Sequence, residues 1–266
     1  MPNFATPQPI TAVVEIAAGS IRLVASDRDD TVAEVRPRDE SRPHDVKAAE
    51  QTRIDFNNST LRVTSNRGFA FPRRGAVIVD IALPEGSDLD VSVASAQVRA
   101  DGRYSDCKLA SASGDFSVES VANIKADTAS GAVTADNVKG AAVIDTASGG
   151  ATVGDLDGDM KFRAASGSLI VRRLHGNVNA QTASGDVTVA TAVNGGVSVQ
   201  TASGELVLGI AEGTAAQLDL RTRSGDVRNS LTSSDGPAIG DETLVVHART
   251  ASGDIVVQRA AAEAMS

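Results

Sequence analysis

The chain has one cysteine, no tryptophan and a single tyrosine in 266 residues. One cysteine, Cys107, excludes an intramolecular disulfide framework. Aromatic residues make up only 3% of the chain, so the core must be filled by small and β-branched side chains, which suit narrow, stacked β-structure. Basic residues are outnumbered as well. Against 34 Asp and Glu there are 25 Lys and Arg, for a formal net charge of -9 and a pI near 4.8. No basic run is interleaved with aromatics, which argues against nucleic acid as a partner. No window approaches the roughly 18 apolar residues of a membrane span. Residues 1–7 show no basic stretch leading into an apolar one, so the expected location is cytoplasmic, with a membrane-proximal association left open.

What the sequence does have is a repeat. Ser-Gly pairs recur at Ser113-Gly114, Ser130-Gly131, Ser148-Gly149, Ser166-Gly167, Ser184-Gly185, Ser203-Gly204, Ser224-Gly225 and Ser252-Gly253. Successive serines are 17, 18, 18, 18, 19, 21 and 28 residues apart, and Ser95-Ala96 stands 18 before the first as a degenerate copy. Counted from each serine, apolar residues fall at -6 and -4 (Val178 and Ala180, Val197 and Val199) and at +3 and +5 (Val187 and Val189, Leu206 and Leu208). Both pairs have the period of two that marks a strand with one buried face. A Ser-Gly bend separates the strands, and a third short side follows, often ending in glycine at +10. Such a unit is too short to contain a crossover helix, so neighbouring copies must pair with one another.

The predicted fold is therefore all-β, a parallel right-handed β-solenoid (β-helix) with about 18 residues per coil and rungs roughly 4.8 Å apart. Residues 1–75 are expected to form an irregular β-rich N-terminal cap, 76–258 the solenoid, and 259–266 a tail. Within the cap, residues 10–25 read as two short strands that loosely copy the later unit. Thr31–Val35, Arg53–Phe56 and Leu61–Thr64 read as further strands. The charged stretch 36–53 reads as a solvated excursion with one helical turn near Asp45–Gln51.

Chemistry is sparse. His175 and His247 fall about four coils apart if the units stack in chain order, near 19 Å at roughly 4.8 Å per coil, too far for a shared metal or triad. Cys107 occupies an inward -6 position as a buried apolar residue. Threonines at -2 (Thr128, Thr146, Thr182, Thr201, Thr222, Thr250) point inward, where their hydroxyls would satisfy backbone groups at the bend; an ice-binding face would need them outside. The column Asp115, Asp186, Glu205, Asp226 and Asp254 is interrupted by Ala132, Gly150 and Ser168, and offers one carboxylate per coil where calcium takes six to eight oxygens. No catalytic, cofactor-binding or metal-ligating residues are assigned. Candidate partner-binding residues lie where the repeat fails: Phe69, Phe71, Arg73 and Arg74, where aromatic and basic residues meet, and Ser233 and Asp235 in the long insertion.

The units Thr182–Val189, Thr201–Leu208, Thr222–Val227 and Thr250–Val257, together with Ile81–Ser87, resemble the bacterial putative-adhesin family of unknown function, whose members are β-strand-repeat proteins. The resemblance spans roughly 76–258. It implies a surface interaction and no catalytic residues. The expected function is a non-enzymatic interaction scaffold for a protein or envelope-surface partner, with a homodimer through the C-terminal end coil at Ser252–Gln258. The alternative is a self-assembling structural protein of the bactofilin type. A carbohydrate-active β-helix enzyme is a third reading, for which the tight turns offer no walled cleft.

Overall fold

A computed structural model describes residues 2–65, 75–232, 236 and 242–261. Phe69, Phe71, Arg73, Arg74, Ser233 and Asp235 lie outside the described residues. Among the described residues the protein is all-β apart from one helix, and it divides into two compact units, Met1–Ala135 and Asp136–Ser266.

The first unit contains β1 (Asn3–Ala5), β2 (Thr11–Ser26), β3 (Asp30–Pro37), α1 (Pro43–Gln51), β4 (Arg53–Asn57), β5 (Thr60–Thr64), β6 (Val77–Pro84), β7 (Ser87–Ser111) and β8 (Phe116–Thr128). Its organising strand is β2, whose alternation buries Ala12, Val14, Ile16, Ile21 and Leu23. On one side β2 pairs in parallel with β7, from Thr11 opposite Asp88 to Val24 opposite Asp101. On the other side it pairs in parallel with β5 and then β6. Regular parallel pairing thus begins at residue 11, ahead of the excursion 27–86. The β7–β8 ladder sets Val98 opposite Phe116 and, after a register shift, Cys107 opposite Ile124.

The excursion supplies the antiparallel pairs, β1 with β3, β3 with β6 and β4 with β5. Asn58 and Ser59 take φ values of 50° and 55°, the left-handed pair that a two-residue hairpin turn requires. The ring of Phe4 stacks on that of Phe56 at 5.0 Å. The helical turn expected near Asp45–Gln51 is a full helix with proline in its first turn. It is not wholly solvated, because Asp45 is buried and accepts a hydrogen bond from the Ala76 backbone N–H at 2.8 Å.

β9 (Val133–Val138) spans the division. The second unit contains β10 (Ala142–Thr146), β11 (Ala151–Ser166), β12 (Leu169–Ser184), β13 (Val187–Ser203), β14 (Leu206–Ile210), β15 (Thr214–Ser224), β16 (Val227–Asn229), β17 (Glu242–Ser252) and β18 (Ile255–Arg259). Here parallel pairing runs in steps of the sequence period. Ala151 stands opposite Leu169 and Leu169 opposite Val187. A bulge between Leu174 and His175 absorbs the extra residue that lengthens the next spacing to 19. Val153, Val171, Val189, Leu208 and Val257, all at +5, form one fully buried column.

The spatial order departs from the chain order at the end. β17 lies between β13 and β15, and β18 lies between β14 and β16. The C-terminal segment is inserted into the stack, so the expected end coil at Ser252–Gln258 is interior and the surface assigned to a homodimer there is already covered. Among the described residues the outermost strands at this end are β15 and β16. Consistent with that position, Leu218 and Leu220 are only half-buried and Val227 is 45% exposed. The insertion also moves the histidines. β13 alone separates β12 from β17, so His175 and His247 are two ladder steps apart, about 10 Å, rather than four. They remain apart because His175 opposes Asn194, whereas His247 opposes Ser198 four residues further along β13.

Candidate functional site

The Ser-Gly corners hold neighbouring strands together. The backbone N–H of Gly167 donates to the Ser184 carbonyl, Gly185 to Ser203, Gly204 to Ser252 and Gly253 to Ser224. Glycine stands at these corners because the preceding repeat in the stack leaves no room for a side chain. A Cβ on Gly185 would sit 2.1 Å from the Gly167 carbonyl oxygen, one on Gly253 2.1 Å from that of Gly204, and in the first unit one on Gly131 2.0 Å from that of Gly114. Ser113 and Ser130 are exposed, and their hydroxyls donate to the carbonyls of Ala94 and Ala112. Ser148-Gly149 is closed by Thr146, whose hydroxyl accepts from the Gly149 N–H at 2.8 Å.

The -2 hydroxyls otherwise follow the expectation from turn chemistry. Thr128 accepts from the Gly131 N–H, while Thr201 and Thr250 donate to the Ser203 and Ser252 carbonyls and Thr222 to that of Gly253. Thr182 is the exception, its hydroxyl buried with no hydrogen-bond partner among the described residues. The N–H that would close onto it, from Gly185, is donated to Ser203 instead.

The acidic column has a structural use. Asp115 accepts from the Ala132 N–H, Asp186 from the Glu205 N–H and Asp254 from the Asp226 N–H, each a carboxylate one repeat away from its donor. Among the described residues no group of three His, Cys, Asp or Glu is placed to hold a metal. Cys107 is 1% exposed, and burial pushes its thiol up to about 12.

One surface gathers polar side chains without belonging to any predicted site. An open groove of about 1130 Å³ crosses β11, β12, β13, β17 and β15 just before their Ser-Gly bends. In register along one wall stand Arg163, Gln181, Gln200, Arg249 and Arg221, all at -3. Ala164, Thr182, Thr201, Thr250 and Thr222, at -2, form the adjacent row. Ala183, Ala202 and Ala251 follow, and Arg223 replaces the alanine on the outermost strand. Among the described residues, four arginines and no carboxylate line this groove, in a chain of net charge -9.

The carboxylates that neutralise the arginines stand outside it. Asp145 lies 3.5 Å from Arg163, and Asp219 lies 2.9 Å from Arg221, 4.0 Å from Arg249 and 3.7 Å from His247. The Arg221 hydrogen bond, with the nearby cations, holds Asp219 below the usual carboxylate range. Arg223 has no acidic partner among the described residues. Arg163, Arg221 and Arg249 keep half or more of their side-chain surface exposed beside these pairings, so they remain accessible to a ligand. Sequence inspection places Arg163 and Arg221 outward but does not join them. Arg249 comes beside Gln200 only because β17 is inserted.

A family model described as Toastrack DUF4097 matches residues 13–258. Solved structures similar to this chain include a putative lipid binding protein from Parabacteroides distasonis ATCC 8503, at 13% identity and TM-score 0.45, and a putative adhesin from the same organism, at 12% and 0.44. A putative adhesin from Bacteroides fragilis NCTC 9343 aligns at 10% identity and TM-score 0.42. In each case 97% of this chain and 95% of the other are covered. At that similarity no property of these proteins carries over. A comparison with curated proteins finds no match.

Proposed function

The chain belongs to the Toastrack DUF4097 family, and from that premise we propose that it is a non-enzymatic binding scaffold built as a parallel β-solenoid of about 18 residues per coil, which presents a regular side-chain face to a surface partner in the cell envelope. The observation that supports this is the register. Five strands bring the same three positions of the repeat side by side, so a short sequence unit becomes an extended surface on a rigid ladder. The groove is open to solvent rather than an enclosed cleft.

Co-sedimentation of the purified chain with envelope preparations tests the proposal. Saturable binding to membranes, sacculi or envelope protein extracts is expected, and the absence of binding to all three would refute it.

A second reading rests on a different observation. Among the described residues nothing pairs with the outer edge of β15 and β16, and an uncovered parallel edge can template another chain. Light scattering over a concentration series separates the two: growth beyond a dimer favours end-to-end assembly over the scaffold.

A further inference from the structure

We propose that the groove across β11, β12, β13, β17 and β15 binds a linear acidic polysaccharide, with carboxylates on the arginines and hydroxyls on the glutamines between them. This deepens the scaffold proposal and depends on it. Three observations select that occupant.

The first is the sign and placement of charge. Arg163 stands at one end of the -3 row and Arg249 and Arg221 at the other, with Arg223 nearby at -1, and two uncharged amides, Gln181 and Gln200, separate them. Planar guanidinium groups suit carboxylates, which they can grip through two parallel hydrogen bonds. Among the described residues that line the groove or pair with its arginines, four arginines stand against the two carboxylates Asp145 and Asp219, so this face carries a local positive excess on a chain of net charge -9.

The second is shape. The groove spans five strands, roughly 19 Å from first to last, and is open to solvent, so it fits a chain lying along it better than an enclosed small molecule. Its floor is short Ala and Thr side chains. Thr182 lies in that floor with an unpartnered hydroxyl and is 8% exposed.

The third is the kind of hydrogen bonding on offer. Gln181 and Gln200 each provide a donor and an acceptor, which matches the hydroxyls of a sugar. An extended acidic peptide would fit less well, since the groove lies on the side-chain face of the strands and not at an edge. The peptide's backbone N–H and C=O groups would find few partners there. Single-stranded nucleic acid would need aromatic platforms for its bases, and no aromatic residue lines the groove.

Calorimetric titration of the full chain with polygalacturonate oligomers tests the proposal. Binding that weakens with added salt is expected, and the carboxyl-reduced, neutral oligomer should fail to bind. Arg163→Gln, Arg249→Gln and Arg223→Gln should each weaken binding about tenfold, with unchanged unfolding temperature. Arg172→Gln, outside the groove, should bind like the parent. Equal binding by the groove variants, equal binding of the neutral oligomer, or tighter binding of polyglutamate or of phosphatidylglycerol vesicles would each overturn it. No binding of polygalacturonate would overturn it too. If the chain then still binds envelope material saturably, the scaffold stands and only the groove's occupant is wrong.

Discussion

Ser203 stands opposite Ser252 in parallel register, although 49 residues separate them and Ser224 lies between them in the chain. Ser252 in turn stands opposite Ser224, so the last repeat in sequence is next to last in space.

Hydrogen exchange should report that order. β17 and β18 are paired on both sides, whereas β15 and β16 are paired on one side among the described residues. Amides of Val246, Ala248 and Val257 should therefore exchange only on global opening of the unit, and those of Leu218, Leu220 and Arg228 faster. Faster exchange from β17 than from β15 would contradict the inserted arrangement.

Two glycine substitutions separate backbone strain from strand spacing. Gly213 has φ of 77° with open space around its missing side chain, so Gly213→Ala should cost about 1–2 kcal/mol from conformation alone. Gly195 has φ of 96°, and its Cβ would lie 1.9 Å from the Gly176 carbonyl oxygen. Gly195→Ala must push β12 and β13 apart and should cost more than about 4 kcal/mol. Urea unfolding of both variants measures the difference, and equal costs would show that the contact is easily relieved.

Stability should fall at alkaline pH through two buried groups in the first unit. Burial raises the Cys107 thiol to about 12 and, by the same main cause, raises the Tyr104 hydroxyl well above its ordinary value. Each group is protonated in the folded protein at a pH where the unfolded chain releases its proton. The contribution from Cys107 is complete below an unfolded value near ~8.5 and declines by about 1.4 kcal/mol per pH unit above it. Tyr104 adds a second decline above about pH 10. Urea unfolding across this range should show both, and Cys107→Ala should flatten the first. An unchanged slope in that variant would remove Cys107 as the cause.

The acidic column should behave as a set of backbone acceptors. Asp186→Ala leaves the Glu205 N–H without its 2.8 Å acceptor and should cost about 1 kcal/mol, since water can partly replace it. Calcium should leave the unfolding temperature of the parent chain unchanged. A rise with calcium that disappears in Asp186→Ala would instead make the column a cation site.

Much of this fold is legible in the sequence, because a period of about 18 and a side-chain period of two are strong signals that agree. Parity alone places Val171, Val189 and Leu208 inside and Lys161 and Arg163 outside, as observed. It also identifies the Ala17–Ile21 segment as a loose repeat, and Gly19 is indeed in register with Ala96. The insertion is a different kind of information. Thr222–Gly225 and Thr250–Gly253 have the same form, so neither says which is the outer neighbour. The signal lies further along each unit. Ile255 and Val257 fill +3 and +5 where a strand is covered on both sides, while Val227 and Asn229 occupy the same positions on the outermost strand. The polar Asn229 and the Arg223 that replaces an alanine both mark an end of the stack. The -3 row of the groove follows from the period, since Arg163, Gln181, Gln200, Arg221 and Arg249 belong to consecutive units; only the exchange of the last two depends on the strand order.

The inserted segment also bears on how the chain is made. During synthesis β15 emerges before β17, carrying the same Thr-x-Ser-Gly unit, while the edge of β13 that β17 finally occupies is still vacant. Two strands of one chain therefore compete for a single seat, and the earlier arrival is the wrong one. Were β15 to dock on that edge first, it would have to yield it before β17 could be seated, an obstacle that folding from the ribosome meets and refolding of the complete chain need not.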